Sequence, residues 1–83
     1  MVTPDVEARV TRILTSRLGI APGEITREAR LIDDLGMDSL DAVELAIAVE
    51  REFNVGIAEE HIATLKTVGD ISALIQRLLD LPR

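Results

Sequence analysis

The chain has no cysteine, tryptophan or tyrosine, and its 83 residues hold one phenylalanine and one histidine. Without cysteine it can form neither disulfides nor thiolate metal sites, and it has no thiol of its own for chemistry. One histidine, His61, is too few for a histidine-rich metal site. No uninterrupted apolar run is long enough to span a bilayer. The start, Met1-Val2-Thr3-Pro4-Asp5, has neither the basic region nor the apolar stretch of a signal peptide. These absences predict a cytoplasmic protein with no membrane insertion.

What remains to stabilise the chain is aliphatic packing. A domain this small buries only about 60% of the surface its unfolded chain exposes, and such scaffolds depend on staples or on well-packed helices. Leu, Ile and Val account for 27 residues, and Phe53 is the sole aromatic. The length predicts one domain over residues 1–83.

The net charge of −6 is uneven. Residues 1–32 carry five Arg against four acids, and residues 61–83 carry three basic groups against two acids. Residues 33–60 carry nine acids against Arg51 alone. Such a field repels nucleic acid phosphates and attracts basic protein surfaces.

A first helix is expected from Thr3, a good N-cap, with Pro4 at the first helical position, where a missing N–H costs nothing. Val6, Val10, Ile13 and Leu14 form its apolar stripe, and Gly19 supplies a left-handed stop. Residues 20–37 read as a long connection, with turn chemistry at Ala21-Pro22-Gly23 and a second breaker at Gly36. Ile20, Ile25, Leu31, Ile32 and Leu35 are expected to pin it to the core as an ordered loop. A loop this long in so small a domain tends to be functional.

A second helix is expected from Asp38-Ser39 to Phe53, capped by Asp38, with Asp41 at the positive end of its dipole and Asn54-Val55-Gly56 as its stop. A short helix near 59–64 follows. In the last helix, Thr67-Val68-Gly69-Asp70 is a capping-box pattern, and Ile71, Leu74, Ile75, Leu78 and Leu79 keep helical spacing. The fold class is therefore all-α, a small bundle of three main helices and one short one.

The second helix has one apolar stripe too many. Ala42, Leu45, Ala46, Val49 and Phe53 fall on one side, and Leu40, Val43 and Ile47 on the other. Glu44 and Arg51 share that second side, with Asp41 and Glu50 at its margins. A central helix buried on two sides would use both stripes. The alternative, preferred here, is an exposed apolar strip among carboxylates, suited to a basic partner with an apolar groove. Asp38, Leu40, Asp41, Val43, Glu44, Ile47 and Glu50 are then the candidate partner-binding residues, with Arg51 softening the acidic field without reversing it.

Ser39 stands at the expected first helical position, where its hydroxyl faces outward at the mouth of the loop. A lone serine at a helix start is ordinarily a cap. Its context differs. Asp34-Leu35-Gly36, Asp38-Ser39-Leu40-Asp41, Val43-Glu44-Leu45 and Glu52-Phe53, followed by Ile57, stand together. With this pattern the segment Leu31 to Ile57 closely resembles the acyl carrier protein family. A weaker similarity extends to Arg17-Leu18-Gly19 and Lys66-Thr67-Val68. The resemblance implies a free-standing carrier whose Ser39, between Asp38 and Leu40, receives a 4'-phosphopantetheine arm from coenzyme A. It implies a tether rather than an enzyme, working in fatty-acid or related lipid and polyketide biosynthesis. The arm would supply the thiol that the chain lacks, and a thioester-linked acyl chain could retreat between the helices. The implied partners are a phosphopantetheinyl transferase and acyl-transfer and synthase enzymes with basic docking surfaces, and the implied state is a monomer. Met37 stands where the family commonly has Ala, and Ala58 where it often has Pro; the region of the short helix is less acidic than usual.

Other readings fare worse. A serine hydrolase needs a base near Ser39 on a Gly-x-Ser-x-Gly turn, yet position 41 is Asp and His61 lies on a different expected element. The acids of 33–44 lack the spacing of an EF-hand, so no specific metal site is expected. A carrier-fold interaction subunit that only docks, or a peptidyl or D-alanyl carrier, stays open as an alternative.

Overall fold

The computed structural model describes residues 3–81. Thr3 caps α1 (Pro4–Leu18), its hydroxyl accepting from the Val6 N–H at 3.3 Å. Val6, Val10, Ile13 and Leu14 are all buried, as their spacing requires. Gly19 ends the helix at φ 68°, in the left-handed region where a side chain is strained. After a single 3-10 turn, Pro22–Glu24, the chain reaches α2 (Ser39–Phe53), the short α3 (Glu59–Ala63) and α4 (Val68–Leu79). The all-helical bundle expected from the sequence is what the described residues form.

The core is a single cluster in which Leu14, Ile71, Ile75, Val10 and Val49 are less than 2% exposed. Burying each such side chain contributes about 1.5–3 kcal/mol relative to leaving it in water. Phe53 joins the cluster, and the Arg9 guanidinium sits 4.3 Å from its ring centroid. Arg9 also donates to the Glu52 carboxylate at 2.8 Å and to the Glu52 carbonyl at 2.7 Å, clamping α1 to the end of α2.

The long connection is held by backbone bonds as well as apolar contacts. Leu31 N–H donates to the Lys66 carbonyl at 2.9 Å, Val68 N–H to Ala29 at 3.0 Å and Gly69 N–H to Arg27 at 2.9 Å. A Cβ on Gly69 would lie 3.0 Å from the Arg27 carbonyl oxygen, so glycine permits this close approach. Asp34 accepts from the Arg30 N–H at 2.7 Å and from its guanidinium. Those bonds, the backbone one first, hold its carboxyl below the usual carboxylate range.

The expected pins need one correction. Ile20 and Leu31 are buried and Ile25 and Leu35 partly so, but Ile32 is 72% exposed. Met37 and Ala29 occupy the core instead. Gly36, at φ 70°, turns the chain so that Met37 N–H returns to the Leu31 carbonyl at 3.0 Å. That turn sends Met37 inward just before α2 begins.

Candidate functional site at the start of the second long helix

Asp38 is the N-cap of α2. Its carboxylate accepts from the Asp41 N–H at 2.9 Å, and the Asp41 carboxylate accepts from the Asp38 N–H at 3.1 Å. This reciprocal pair satisfies two otherwise orphan donors and places negative charge at the positive end of the helix dipole. The pair is complete without Ser39. The serine at the first helical position is therefore not the cap; its side chain is exposed beside one.

Immediately inside Ser39 lies an apolar cavity of about 300 Å³. Asp38, Ser39, Ile32 and Met37 lie toward the loop side of its lining, and Ala42, Leu45, Ala46 and Val49 form its α2 wall. Ile57, Ile62, Ala63 and Leu65 line it around α3, and Ile71, Leu74 and Ile75 from α4. Its volume is at the lower end of the roughly 300–1,000 Å³ common for ligand pockets. The corrected role of Ile32 follows: it is an exposed residue of the cavity lining rather than a pin.

The inner face of α2 also differs in detail from its periodicity. Leu45, Ala48, Val49 and Phe53 are buried, whereas Ala42 and Ala46 are only partly so because they face the cavity. The signal was present in the sequence. Two alanines four residues apart on a core-facing stripe leave room where larger side chains would fill it.

The outer face keeps its apolar side chains in solvent. Leu40 is 77% exposed, Val43 53% and Ile47 46%. Leu40 stays on this outer side and does not line the cavity, so it flanks the serine rather than the space inside it. Among the expected acidic partners, Asp38 and Glu44 are exposed and Asp41 is partly so. Glu50 is committed inward: its carboxylate accepts from the Ile57 N–H at 2.8 Å and ties the segment after α2 to the helix. His61 is also local in role, its Nδ1 accepting from the Ala58 N–H at 3.2 Å at the start of α3. Among the described residues no three His, Asp or Glu gather as a metal site, and no helix is long and apolar enough to cross a membrane.

A family model described as the phosphopantetheine attachment site matches residues 8–75. The chain belongs to that family. Its prosthetic group is 4'-phosphopantetheine, and the protein is a phosphopantetheine-dependent carrier. The structure has features that suit this group. A carrier needs a hydroxyl that another protein can reach, unencumbered by local hydrogen bonding, and Ser39 meets that need beside the Asp38–Asp41 cap. It also needs protected apolar space for what the arm holds, and the cavity begins at the same turn. Carriers of this family work with phosphopantetheinyl transferases and synthase enzymes.

Proposed function

We propose that residues 1–83 form one acyl carrier domain with Ser39 as the attachment point, carrying acyl thioesters for fatty-acid or related lipid and polyketide biosynthesis in the cytoplasm. The observation that carries this reading is an exposed serine, spared from capping, at the edge of an apolar cavity of about 300 Å³. In the attachment step the Ser39 oxygen forms a new P–O bond to the β-phosphorus of coenzyme A. The pyrophosphate P–O bond breaks, adenosine 3',5'-bisphosphate leaves, and the hydroxyl proton passes to a base of the transferase. The arm supplies a terminal thiol, the group the chain lacks.

The chain's own residues hold, present and shelter. The Asp38–Asp41 pair fixes the first turn of α2, so Ser39 is offered in one orientation. Ala42 and Ala46 keep the cavity open, and its lining is predominantly aliphatic, which favours an alkyl chain over an aminoacyl cargo. This last observation is the reason to prefer an acyl carrier over the peptidyl and D-alanyl kinds. The exposed strip of Leu40, Val43 and Ile47, rimmed by Asp38, Asp41 and Glu44, provides a docking surface for basic partner enzymes. Glu50 belongs to this rim only through the carboxylate oxygen that Ile57 does not engage. The protein acts as a monomeric tether, and its partners perform the catalysis.

Incubation with coenzyme A, magnesium and a broad-specificity phosphopantetheinyl transferase tests the attachment point. Intact mass should rise by one arm in the wild type and not at all in Ser39→Ala. An unmodified wild type, or an arm found on Ser16 or Ser72, would overturn the assignment.

A further inference from the structure

The apolar strip on α2 does not end in solvent alone. A groove beside it is lined by Leu40, Val43, Glu44 and Ile47 together with Arg17 of α1 and Arg51. An adjoining groove is lined by Arg12, Ser16, Arg17, Arg51 and Glu52. Arg12, Arg17 and Arg51 thus meet at the far end of α2, although two of them come from the first helix. All three are exposed, and none has a carboxylate within ion-pair distance among the described residues.

The acids nearest to them are already occupied. Glu52 pairs with Arg9 at 2.8 Å, and Glu50 accepts from the Ile57 N–H. So the acidic middle third of the sequence does not give a uniformly acidic face. One end, around Ser39, carries Asp38, Asp41 and Glu44; the other carries three uncompensated guanidinium groups. Position 51 lies about 18 Å along the helix from position 39 at 1.5 Å per residue. That separation is about twice the screening length of roughly 8 Å at physiological salt, so a partner meets each end as a separate local field. Arg51 does not merely soften the acidity: joined by Arg12 and Arg17, it reverses it locally.

We propose that this docking face is bipolar, and that the transferase modifying Ser39 sets carboxylates against Arg12, Arg17 and Arg51 while its basic groups meet Asp38, Asp41 and Glu44. The two opposite fields, with the apolar strip between them, fix which way round the partner lies along α2 and hence whether its active site meets Ser39. Charge complementarity identifies the occupant. Guanidinium groups match carboxylates in bidentate geometry, and an enzyme that reaches Ser39 while lying along the apolar strip covers both ends of it. The inference rests on Ser39 being the attachment point.

The test uses an opposition of sign. Arg17→Glu/Arg51→Glu and Arg77→Glu all make the carrier more acidic, but Arg77 lies exposed on α4, outside both grooves. If a basic partner were merely steered by overall charge, every one of these changes would leave modification as fast or speed it. The bipolar face requires the opposite at the grooves. With the transferase of the same source, kcat/KM for Arg17→Glu/Arg51→Glu should fall roughly threefold to tenfold at low salt, the loss shrinking as salt rises. Arg77→Glu should match or exceed the wild type, and Arg17→Lys/Arg51→Lys should recover part of the loss. Circular dichroism establishes that each variant is folded. A groove variant that reacts at the wild-type rate or faster would overturn the proposal, as would salt-sensitive dimerisation of the wild type at assay concentration, which would make a second copy the occupant. A wild type that takes no arm on Ser39 instead overturns the attachment reading on which the proposal stands.

Discussion

α2 and α4 are built alike and used differently. Each begins with a capping box that has aspartate at the third helical position, Asp41 in one and Asp70 in the other. Each lays a stripe of large aliphatic side chains into the same core. On α4 the remaining surface is Ala73, Gln76, Arg77 and Asp80, ordinary solvated residues. On α2 the opposite surface still holds Leu40, Val43 and Ile47 in water. Folding accounts for all the large apolar groups of α2's inner face and leaves these three over. A small domain with little stability to spare has no folding reason to keep them exposed, and an interface gives one.

The comparison breaks first, and with the largest effect, at the inner face. Phe53→Ala removes a buried ring together with its contact to Arg9, and should cost about 3–5 kcal/mol in urea unfolding. An unchanged midpoint would mean that α2 does not use this face for folding.

The capping boxes offer a smaller and pH-dependent test. Asp70 accepts from the Lys66 N–H at 2.9 Å and the Thr67 N–H at 3.0 Å. Those bonds, led by the one from Lys66, hold its carboxyl below the usual range. A depressed native pKa contributes stability above the unfolded value of about 3.9, and that contribution is lost as pH falls through the native value. Asp34 adds to the same trend. Wild-type stability should therefore drop below about pH 4. Asp70→Asn should be less stable at pH 7, by about 1 kcal/mol, and should lose less on acidification. Parallel urea curves for the two proteins from pH 7 to pH 3 would exclude Asp70 as a source of acid lability.

The smallest expected change in stability is at the outer face. Ile47→Ala should shift the unfolding free energy by no more than about 0.5 kcal/mol, as exposed positions usually do. Modification by the transferase should nonetheless slow, with little dependence on salt, because what is lost is apolar contact. If Ile47→Ala unfolds the protein instead, the two faces of α2 are not divided between folding and binding.

Much of this was legible along the chain because its causes are local. Thr3 with Pro4, Gly19, Asp38, and Thr67 with Asp70 mark helix ends through hydrogen bonds or backbone conformations that reach only a few residues. The two stripes of α2 follow from a period of 3.6 residues, and the attachment motif around Ser39 is contiguous. Ile32 and Met37 escaped that reading because both are apolar loop residues without periodicity. Only the turn at Gly36 decides which one enters the core.

What the sequence by itself determined is a set of capped helices, their apolar faces, a serine beside a cap and a middle third rich in acid. Tertiary structure alone decided two things. Packing around Ala42 and Ala46 made their small volume into a cavity, since empty space belongs to no single element. Packing of α1 on α2 brought Arg12 and Arg17 to Arg51 while Arg9 occupied Glu52. Charge counted along the chain averages over neighbours in sequence, but a partner meets neighbours in space within a screening length. That is why a segment that reads as acid throughout presents one negative end and one positive end.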